Sequence, residues 1–193
     1  MISAQQKIRL DIKAKRNTLT HKELLQAENN LNKQFLKQPR LYGARTIASY
    51  IPCAGEISPI KIQSSLSSAN IFLPRITHFN QSKMAFYSSR NRLIKNRYGI
   101  FEPEAIGQPT PLKYMDIIFI PLVAFDRSGN RLGMGSGFYD RALAFTKNST
   151  NLPRPLLLGL AHHFQEVERL TSKKWDIPLN GILTDQEFIK ITN

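Results

Sequence analysis

The first forty residues carry apolar side chains at the 3.6-residue spacing of amphipathic helices. Residues 4–18 place their isoleucines on one face and basic residues elsewhere, which predicts a helix. Thr20 and Glu23 have the T-x-x-E spacing of a capping box, which predicts the start of a second helix. Leucine and phenylalanine side chains give this second helix an apolar stripe, and Pro39 ends it. The chain is therefore predicted to begin with a helical hairpin over residues 1–40.

From Arg45 onward, short apolar runs alternate with helical stretches. The strongest run is Asp116–Ile120, which is apolar on both faces, as a central parallel strand should be. Residues 99–111 contain three prolines and are predicted to form a loop. The alternation predicts an α/β fold with an open, mostly parallel Rossmann-like sheet flanked by helices. We expect a single domain over residues 1–193, with the helical hairpin packed on the sheet. The other predicted strands cover residues 46–51, 71–73, 84–87, 156–161 and 181–184, and the other predicted helices cover residues 57–66 and 137–145.

The composition is that of an ordinary globular chain. No apolar run is long enough to cross a bilayer, and polar residues interrupt the amino terminus before a signal-peptide core could form. Cys53 is the only cysteine, which excludes an internal disulfide framework and favours a reducing compartment. We therefore expect a cytoplasmic protein that does not bind membranes.

The net charge of +13 indicates anionic partners. Nucleic acid is one class, and small polyanions such as ATP and an acid-tailed cofactor are another. The basic residues are spread along the chain and concentrate only in the first forty residues, so a solvated basic face explains them equally well. A nucleic-acid-binding protein needs a clustered basic face with aromatic stacking platforms, whereas the aromatic residues here lie mostly within apolar runs. A basic nucleic-acid-binding protein on the same fold, without catalysis, is kept as the alternative function.

The most informative stretch is Arg131–Arg141, which follows a predicted buried strand and leads into a predicted helix. Open α/β sheets bind ligands at such places. Gly133, Gly135 and Gly137 remove three Cβ atoms from a short loop, so backbone N–H groups can approach phosphate oxygens, and the following helix would add its positive end. The spacing matches neither a dinucleotide-binding fingerprint nor a Walker loop. It predicts a phosphate site of another kind.

Charged residues in the same stretch add to this prediction. Arg131 offers a guanidinium group suited to a bidentate phosphate contact. Asp140 offers a hard oxygen ligand, and Mg²⁺ is usually held by one or two carboxylates together with substrate phosphates. Spacing alone leaves a second interpretation open, in which the loop is a tight turn and Asp140 pairs with Arg141 on the surface.

The loop resembles the signature of the 5-formyltetrahydrofolate cyclo-ligases, also called methenyltetrahydrofolate synthetases. The resemblance extends over nearly the whole chain. It implies an ATP- and Mg²⁺-dependent cyclisation of 5-formyltetrahydrofolate to 5,10-methenyltetrahydrofolate, with release of ADP and phosphate. Because a fold does not fix a function, another ATP-dependent enzyme on the same scaffold is a third possibility. The matching residues are Arg9 with Arg16, residues 47–51 followed by Glu56, Leu73–Arg75, residues 98–100 before Glu102-Pro103, Asp116–Ile118, Phe125-Asp126, Gly129–Gly133, Gly135, Gly137–Arg141 and residues 176–184.

The resemblance also implies which residues contact ATP. The lysine expected four residues before Arg9 is Gln5 in this chain, and Lys7 is expected to substitute for it. Arg131 and Tyr139 are expected to be catalytic. The implied ATP-binding residues are Lys7, Arg9, Arg131, Leu132, Gly133, Met134, Gly135, Ser136, Gly137, Phe138 and Tyr139.

For the folate, the resemblance implies that Glu56 accepts hydrogen bonds from the amino group of the pterin. The substrate is expected to be 5-formyltetrahydrofolate, possibly polyglutamylated, bound by a monomer that does not bind nucleic acid. Trp175 is expected to pack against neighbouring side chains. The implied substrate-binding residues are Ile51, Glu56, Met134, Gly135, Ser136, Gly137 and Phe138.

For the metal, the resemblance implies Asp140 as a Mg²⁺ ligand. The second ligand in the family is an aspartate near the carboxyl terminus, and the aligned position here is Asn180. An amide oxygen can coordinate Mg²⁺ without adding negative charge. Asp140 and Asn180 are therefore the expected metal ligands.

Overall fold

The computed structural model of the protein describes residues 2–97, 99–148 and 155–191. Within these ranges, no helix is both long and apolar enough to cross a membrane. The helices are α1 (Ala4–Asn17), α2 (His21–Leu36), α3 (Ile60–Ser65), α4 (Phe138–Ala142) and α5 (Phe145–Asn148). The strands are β1 (Thr46–Ala48), β2 (Asn70–His78), β3 (Lys83–Ser88), β4 (Leu93–Lys95), β5 (Phe101–Pro103), β6 (Ile117–Pro121), β7 (Ala124–Phe125), β8 (Arg131–Leu132), β9 (Leu156–Ala161), β10 (Gly181–Thr184) and β11 (Phe188–Lys190).

The main sheet has seven strands in the order β11-β10-β9-β6-β1-β2-β3. Strand β6 lies at the centre and pairs in parallel with β1 and β9. The two edge strands, β3 and β11, pair in the antiparallel direction. Residues 117–120 are buried on both faces, as a central parallel strand requires. The predicted open, mostly parallel sheet flanked by helices is confirmed.

Both amino-terminal helices begin at capping boxes, formed by Ser3 with Gln6 and by Thr20 with Glu23. Helix α2 buries Leu31 and Phe35 against the face of the sheet, whereas α1 lies near the short strands β7 and β8. The predicted helices are confirmed, and they contact different parts of the core. This arrangement places α1 beside residues 133–137, which we call the glycine loop.

Several predicted bounds were wrong. The strand predicted over residues 46–51 ends at Ala48, and the helix predicted over 57–66 begins only at Ile60, after Pro59. Part of the loop predicted over residues 99–111 forms β5, which pairs with β4 in a separate two-stranded sheet. Three-residue strands are too short to show the alternation from which a strand is predicted.

The helix predicted over residues 137–145 is two short helices, α4 and α5. Leu143 lies between them and is fully buried in the core on one face of the sheet. The chain therefore turns at the position where this side chain enters the core. The hairpin of β7 and β8, which precedes the glycine loop, was also not predicted. Its only sequence signal was Gly129, which lies in the turn with a φ of 85°.

Candidate active site

A cleft of about 270 Å³ lies between α1 and the glycine loop. Pro121 and Leu122, at the carboxyl end of β6, and Glu56, in the loop that follows β1, contribute to it. The cleft therefore lies at the carboxyl edge of the parallel strands, where open α/β sheets bind ligands. It is lined by Gln5, Arg9, Glu56, Pro121, Leu122, every residue from Arg131 to Asp140, Lys173, Trp175 and Asp176.

The β7–β8 hairpin holds the start of the glycine loop in place. Asp126 is buried, and one of its carboxylate oxygens accepts hydrogen bonds from the backbone N–H groups of Ser128 (3.0 Å) and Asn130 (3.1 Å). The other oxygen accepts from the N–H of Leu170 at 2.9 Å. Asp126, which belongs to the family resemblance, therefore has a structural role. It holds the turn that precedes Arg131, and Arg131 itself lines the cleft.

The glycines leave space on the cleft side of the loop. Gly135 has a φ of 102° and Gly137 a φ of 70°, conformations that side chains rarely adopt. A Cβ atom built on Gly133 or Gly137 would have no atom of any described residue within 4 Å. The helix that follows the loop, α4, has only five residues and is shorter than the helix predicted there. The N–H groups of the loop are therefore the main donors expected on this side of the cleft.

Arg131 joins the glycine loop to the segment before β10. Its side chain is 6% exposed, one guanidinium nitrogen donates to the backbone oxygen of Ile177, and another forms an ion pair with Asp140. Burial lowers the pKa of Arg131, and the carboxylates of Asp140 and Asp176 oppose this shift. The alternative pairing of Asp140 with Arg141 is wrong, because Arg141 donates to the backbone oxygen of Gln81.

Arg9 lies in the cleft as expected, and its Nε donates to the backbone oxygen of Gly133 at 2.8 Å. Gln5 also lines the cleft and donates to the backbone oxygen of Thr171 at 3.0 Å. The structure does not bring Lys7 to this position: Lys7 is exposed and does not line the cleft. Residues two positions apart in an α-helix lie about 200° apart around its axis. Lys7 is two positions from both Gln5 and Arg9, so it points away from the face that carries them. The lysine that does line the cleft is Lys173.

Glu56 lies at the other end of the cleft, on a loop that is hydrogen-bonded to Arg16. Its carboxylate is 3.6 Å from the guanidinium of Arg16 and accepts a hydrogen bond from the N–H of Cys53 at 3.1 Å. Arg16 also donates to the backbone oxygens of Cys53 and Ala54. Burial raises the pKa of Glu56, and Arg16 opposes this shift. Ile51 is partly buried and does not line the cleft, so the structure does not bring it to Glu56 as a substrate contact.

Tyr139 lines the cleft and carries an unsatisfied, buried hydroxyl. Its hydroxyl oxygen is buried and has no hydrogen-bond partner among the residues that the structure describes. Burial raises the pKa of Tyr139, and the charge of Glu56 raises it further. An unpaired buried hydroxyl costs free energy, so a ligand oxygen that accepts from it would remove that cost.

The structure does not bring Asn180 into the cleft with Asp140. Asn180 lies at the amino edge of the sheet, where its amide oxygen accepts from the N–H of Leu157 at 2.8 Å. Besides those of Glu56 and Asp140, the carboxylate that lines the cleft is that of Asp176. Reasoning from the sequence missed Asp176, Lys173 and Trp175; the only available signal was that Asp176 begins the last segment of the resemblance.

Comparisons with known proteins agree with the family resemblance and with the fold. The model of the 5-formyltetrahydrofolate cyclo-ligase family matches residues 1–185. A 5-formyltetrahydrofolate cyclo-ligase of Haemophilus influenzae is 39% identical over 184 residues, which cover 93% of this chain and 96% of the relative. One of Escherichia coli K12 is 33% identical over 178 residues, with 90% and 96% covered. The NMR structure of Aquifex aeolicus 5,10-methenyltetrahydrofolate synthetase superimposes with a TM-score of 0.82 at 27% identity, covering 99% of this chain and 94% of that one.

Proposed function

The chain belongs to the 5-formyltetrahydrofolate cyclo-ligase family, and we propose that it converts 5-formyltetrahydrofolate to 5,10-methenyltetrahydrofolate in the cleft beside α1, with ATP as cosubstrate. The observation that supports this placement is that the residues carrying the family motif, 131–140, line one cleft together with Arg9 and Glu56. The direct test is to incubate the protein with 5-formyltetrahydrofolate and Mg-ATP and to follow the near-ultraviolet absorbance of the methenyl product. Absence of product from folded protein would contradict the proposal.

The reaction needs no nucleophile from the protein. The formyl oxygen attacks the γ-phosphate of ATP and ADP leaves, which gives a phosphorylated iminium. The N10 amine then attacks the formyl carbon and closes the ring, its proton passes to water, and phosphate departs from that carbon. The protein has to align the two substrates and neutralise phosphate charge, which are positioning and electrostatic tasks.

The cleft carries groups for both tasks. We assign the ATP phosphates to the N–H groups of the glycine loop and to the guanidinium groups of Arg9 and Arg131. Arg131 is held by Asp140 and the backbone of Ile177. Its guanidinium group is therefore already in position before the substrates react, and no reorganisation is needed. The Tyr139 hydroxyl would donate to an anionic oxygen of the substrate or of the transferred phosphoryl group.

Two carboxylates fit a Mg²⁺ ion. Asp140 and Asp176 both line the cleft, and hard carboxylate oxygens together with phosphates are the ligands that Mg²⁺ prefers. The Asp140 side chain is about one-third exposed although it is paired with Arg131. When bound, the ion would reduce the negative charge of the phosphates.

We assign the pterin of the folate to the Glu56 end of the cleft. Changing Glu56 to glutamine should raise KM for 5-formyltetrahydrofolate by about tenfold, because hydrogen bonds to a charged acceptor contribute about 1.5–3 kcal/mol. The KM for ATP should stay within about twofold, since the phosphates bind elsewhere. The measurement is initial rate against each substrate in turn.

Glu28 provides a matched control for Glu56. It is also buried, and it accepts hydrogen bonds from Ser58 and from the N–H of Lys61, outside the cleft. Glu28→Gln should lower stability without changing either KM. If Glu56→Gln changed KM for ATP and not for the folate, the assignment of the two ligands would be reversed.

Changing Tyr139 to phenylalanine should lower kcat/KM by about tenfold to a hundredfold, the loss expected for one hydrogen bond to a charged oxygen. The free energy of unfolding should not fall, because the hydroxyl has no partner to lose. Tyr50→Phe is the control: its hydroxyl donates to the backbone oxygen of Ile57 at 2.6 Å, so this variant should lose about 1 kcal/mol of stability. A Tyr139→Phe variant with normal turnover would remove the hydroxyl from the mechanism.

The remaining partner and location assignments are part of the same proposal. We propose that the chain acts as a cytoplasmic monomer, and that its positive charge serves ATP and the carboxylates of a folate tail rather than nucleic acid. Tighter binding of longer glutamate tails should then weaken as salt rises, because exposed charge pairs are screened. The measurement is KM for folates with short and long glutamate tails at increasing ionic strength. If the preference for longer tails did not change with salt, this explanation would be rejected.

A further inference from the structure

Helix α1 runs along the cleft, lines it with Gln5 and Arg9, and bonds through Arg16 to the loop that carries Glu56. Gln5, Arg9 and Arg16 lie on one face of the helix. Gln5 and Arg16 are eleven positions apart, which is about three helical turns and roughly 16 Å along the axis. Gln5 bonds to Thr171, Arg9 bonds to the glycine loop, and Arg16 bonds to the loop that carries Glu56. The contacts along the helix give the order of the parts of the cleft. Residues 171–177 lie at one end, the glycine loop lies in the middle, and Glu56 lies at the other end.

This order leaves one end without an assigned ligand. On the proposed function, the folate takes the Glu56 end and the ATP phosphates take the glycine loop. The nucleoside of ATP, which extends from the phosphates on the side away from the folate, must then lie at the end formed by residues 171–177.

Trp175 is the large apolar side chain at that end. It lines the cleft and is 63% exposed, so the expectation that it packs against neighbouring side chains is wrong. The Nζ of Lys173 lies 5.2 Å from the centre of its ring. That cation covers part of the indole, and most of the ring remains accessible.

The exposure of Trp175 is not the result of a poorly held segment. The backbone oxygens of Thr171, Lys174 and Ile177 accept side-chain hydrogen bonds from Gln5, Lys147 and Arg131. The backbone on both sides of Trp175 is thus fixed by elements of the core and by α1, while the indole ring itself extends into the cleft.

We propose that Trp175 stacks on the adenine base of ATP. An aromatic face beside a phosphate site is suited to a nucleotide base, because every base offers a π-face for stacking, and covering the indole would remove apolar surface from water. The inference rests on the proposed function for the position of the phosphates. It adds the binding site of the base, with Trp175 as a binding residue.

Trp175 is the only tryptophan in the chain, so its fluorescence reports on this site alone. Titration of the wild-type protein with Mg-ADP should change the emission saturably. Inorganic tripolyphosphate should compete with ADP for binding and leave the emission nearly unchanged, because it has phosphates and no base. An equal change with tripolyphosphate, or no change with saturating ADP, would overturn the proposal.

Variants give an independent measurement. Trp175→Ala should raise the Kd for ADP by roughly tenfold, the order of effect found when a stacking aromatic is removed. Trp175→Phe should recover most of the affinity, and the Kd for tripolyphosphate should be unchanged in both. Tyr114→Ala is the matched control: Tyr114 is 62% exposed and has a lysine Nζ 5.0 Å from its ring, but it does not line the cleft. This control should bind ADP normally.

The experiment separates the two proposals. If the wild type forms the methenyl product and Trp175→Ala binds ADP as tightly as wild type, only the stacking is wrong. If 5-formyltetrahydrofolate alone changes the tryptophan emission and ADP does not, the indole contacts the folate and the stacking on adenine is again rejected. If the wild type forms no product with any nucleotide, the proposed function fails, whatever the fluorescence shows.

Discussion

Changing Arg131 to alanine should lower kcat/KM for ATP by about a hundredfold or more. The variant loses a buried, preorganised cation in the proposed phosphate site, and removal of one such group costs about 10²–10³ in rate in comparable sites. Binding of ADP, measured by calorimetry, should weaken about 10- to 100-fold, since hydrogen bonds to charged groups contribute about 1.5–3 kcal/mol. Arg131→Lys should recover only part of the loss, because an ammonium group lacks the planar fork of a guanidinium.

Arg131 also supports the fold, so stability has to be measured with activity. Its removal leaves the backbone oxygen of Ile177 and the carboxylate of Asp140 without this partner. We expect a loss of about 1–3 kcal/mol in the free energy of unfolding. Arg127→Ala is the control: Arg127 pairs with Glu166 and Glu187 on the outside and is 55% exposed. Unchanged ADP affinity in folded Arg131→Ala would place the phosphates elsewhere.

Changing Asp140 to asparagine should lower turnover by about 10²–10³, with partial rescue by excess Mg²⁺. The amide keeps the shape of the side chain but removes the charge that balances Arg131 and that we propose for the metal. The measurement is turnover against free Mg²⁺ at fixed ATP. Asp176→Asn should raise the Mg²⁺ concentration needed for half-maximal rate if both carboxylates hold the ion.

Asn180→Asp is the matched control for the metal. A carboxylate at position 180 would restore the residue type expected from the family resemblance. Because Asn180 lies at the amino edge of the sheet and bonds to Leu157, we expect no change in Mg²⁺ dependence. Tighter Mg²⁺ dependence in Asn180→Asp, or normal turnover and metal dependence in Asp140→Asn, would show that the metal is held elsewhere.

The sequence by itself determined the types of most elements and the location of the loop that forms the site. The capping box at Thr20, the double-sided apolar run of β6 and the ranges of β9 and β10 were predicted correctly. These features are local, because a helix cap, the periodicity of apolar residues and a continuous apolar run each depend on residues a few positions apart. The glycine motif was equally local, and its residues line the cleft.

Only the tertiary structure decided which residues meet the motif. Lys7 was expected in the cleft, yet the rotation of α1 points it outward. Asn180 was expected beside Asp140, yet it precedes β10 and so lies at the amino edge of a parallel sheet whose cleft is at the carboxyl edge. Trp175 was expected to pack, yet its segment is held with the ring in the cleft. Strand order, strand direction and helix rotation depend on packing between distant segments, and spacing along the chain does not specify them.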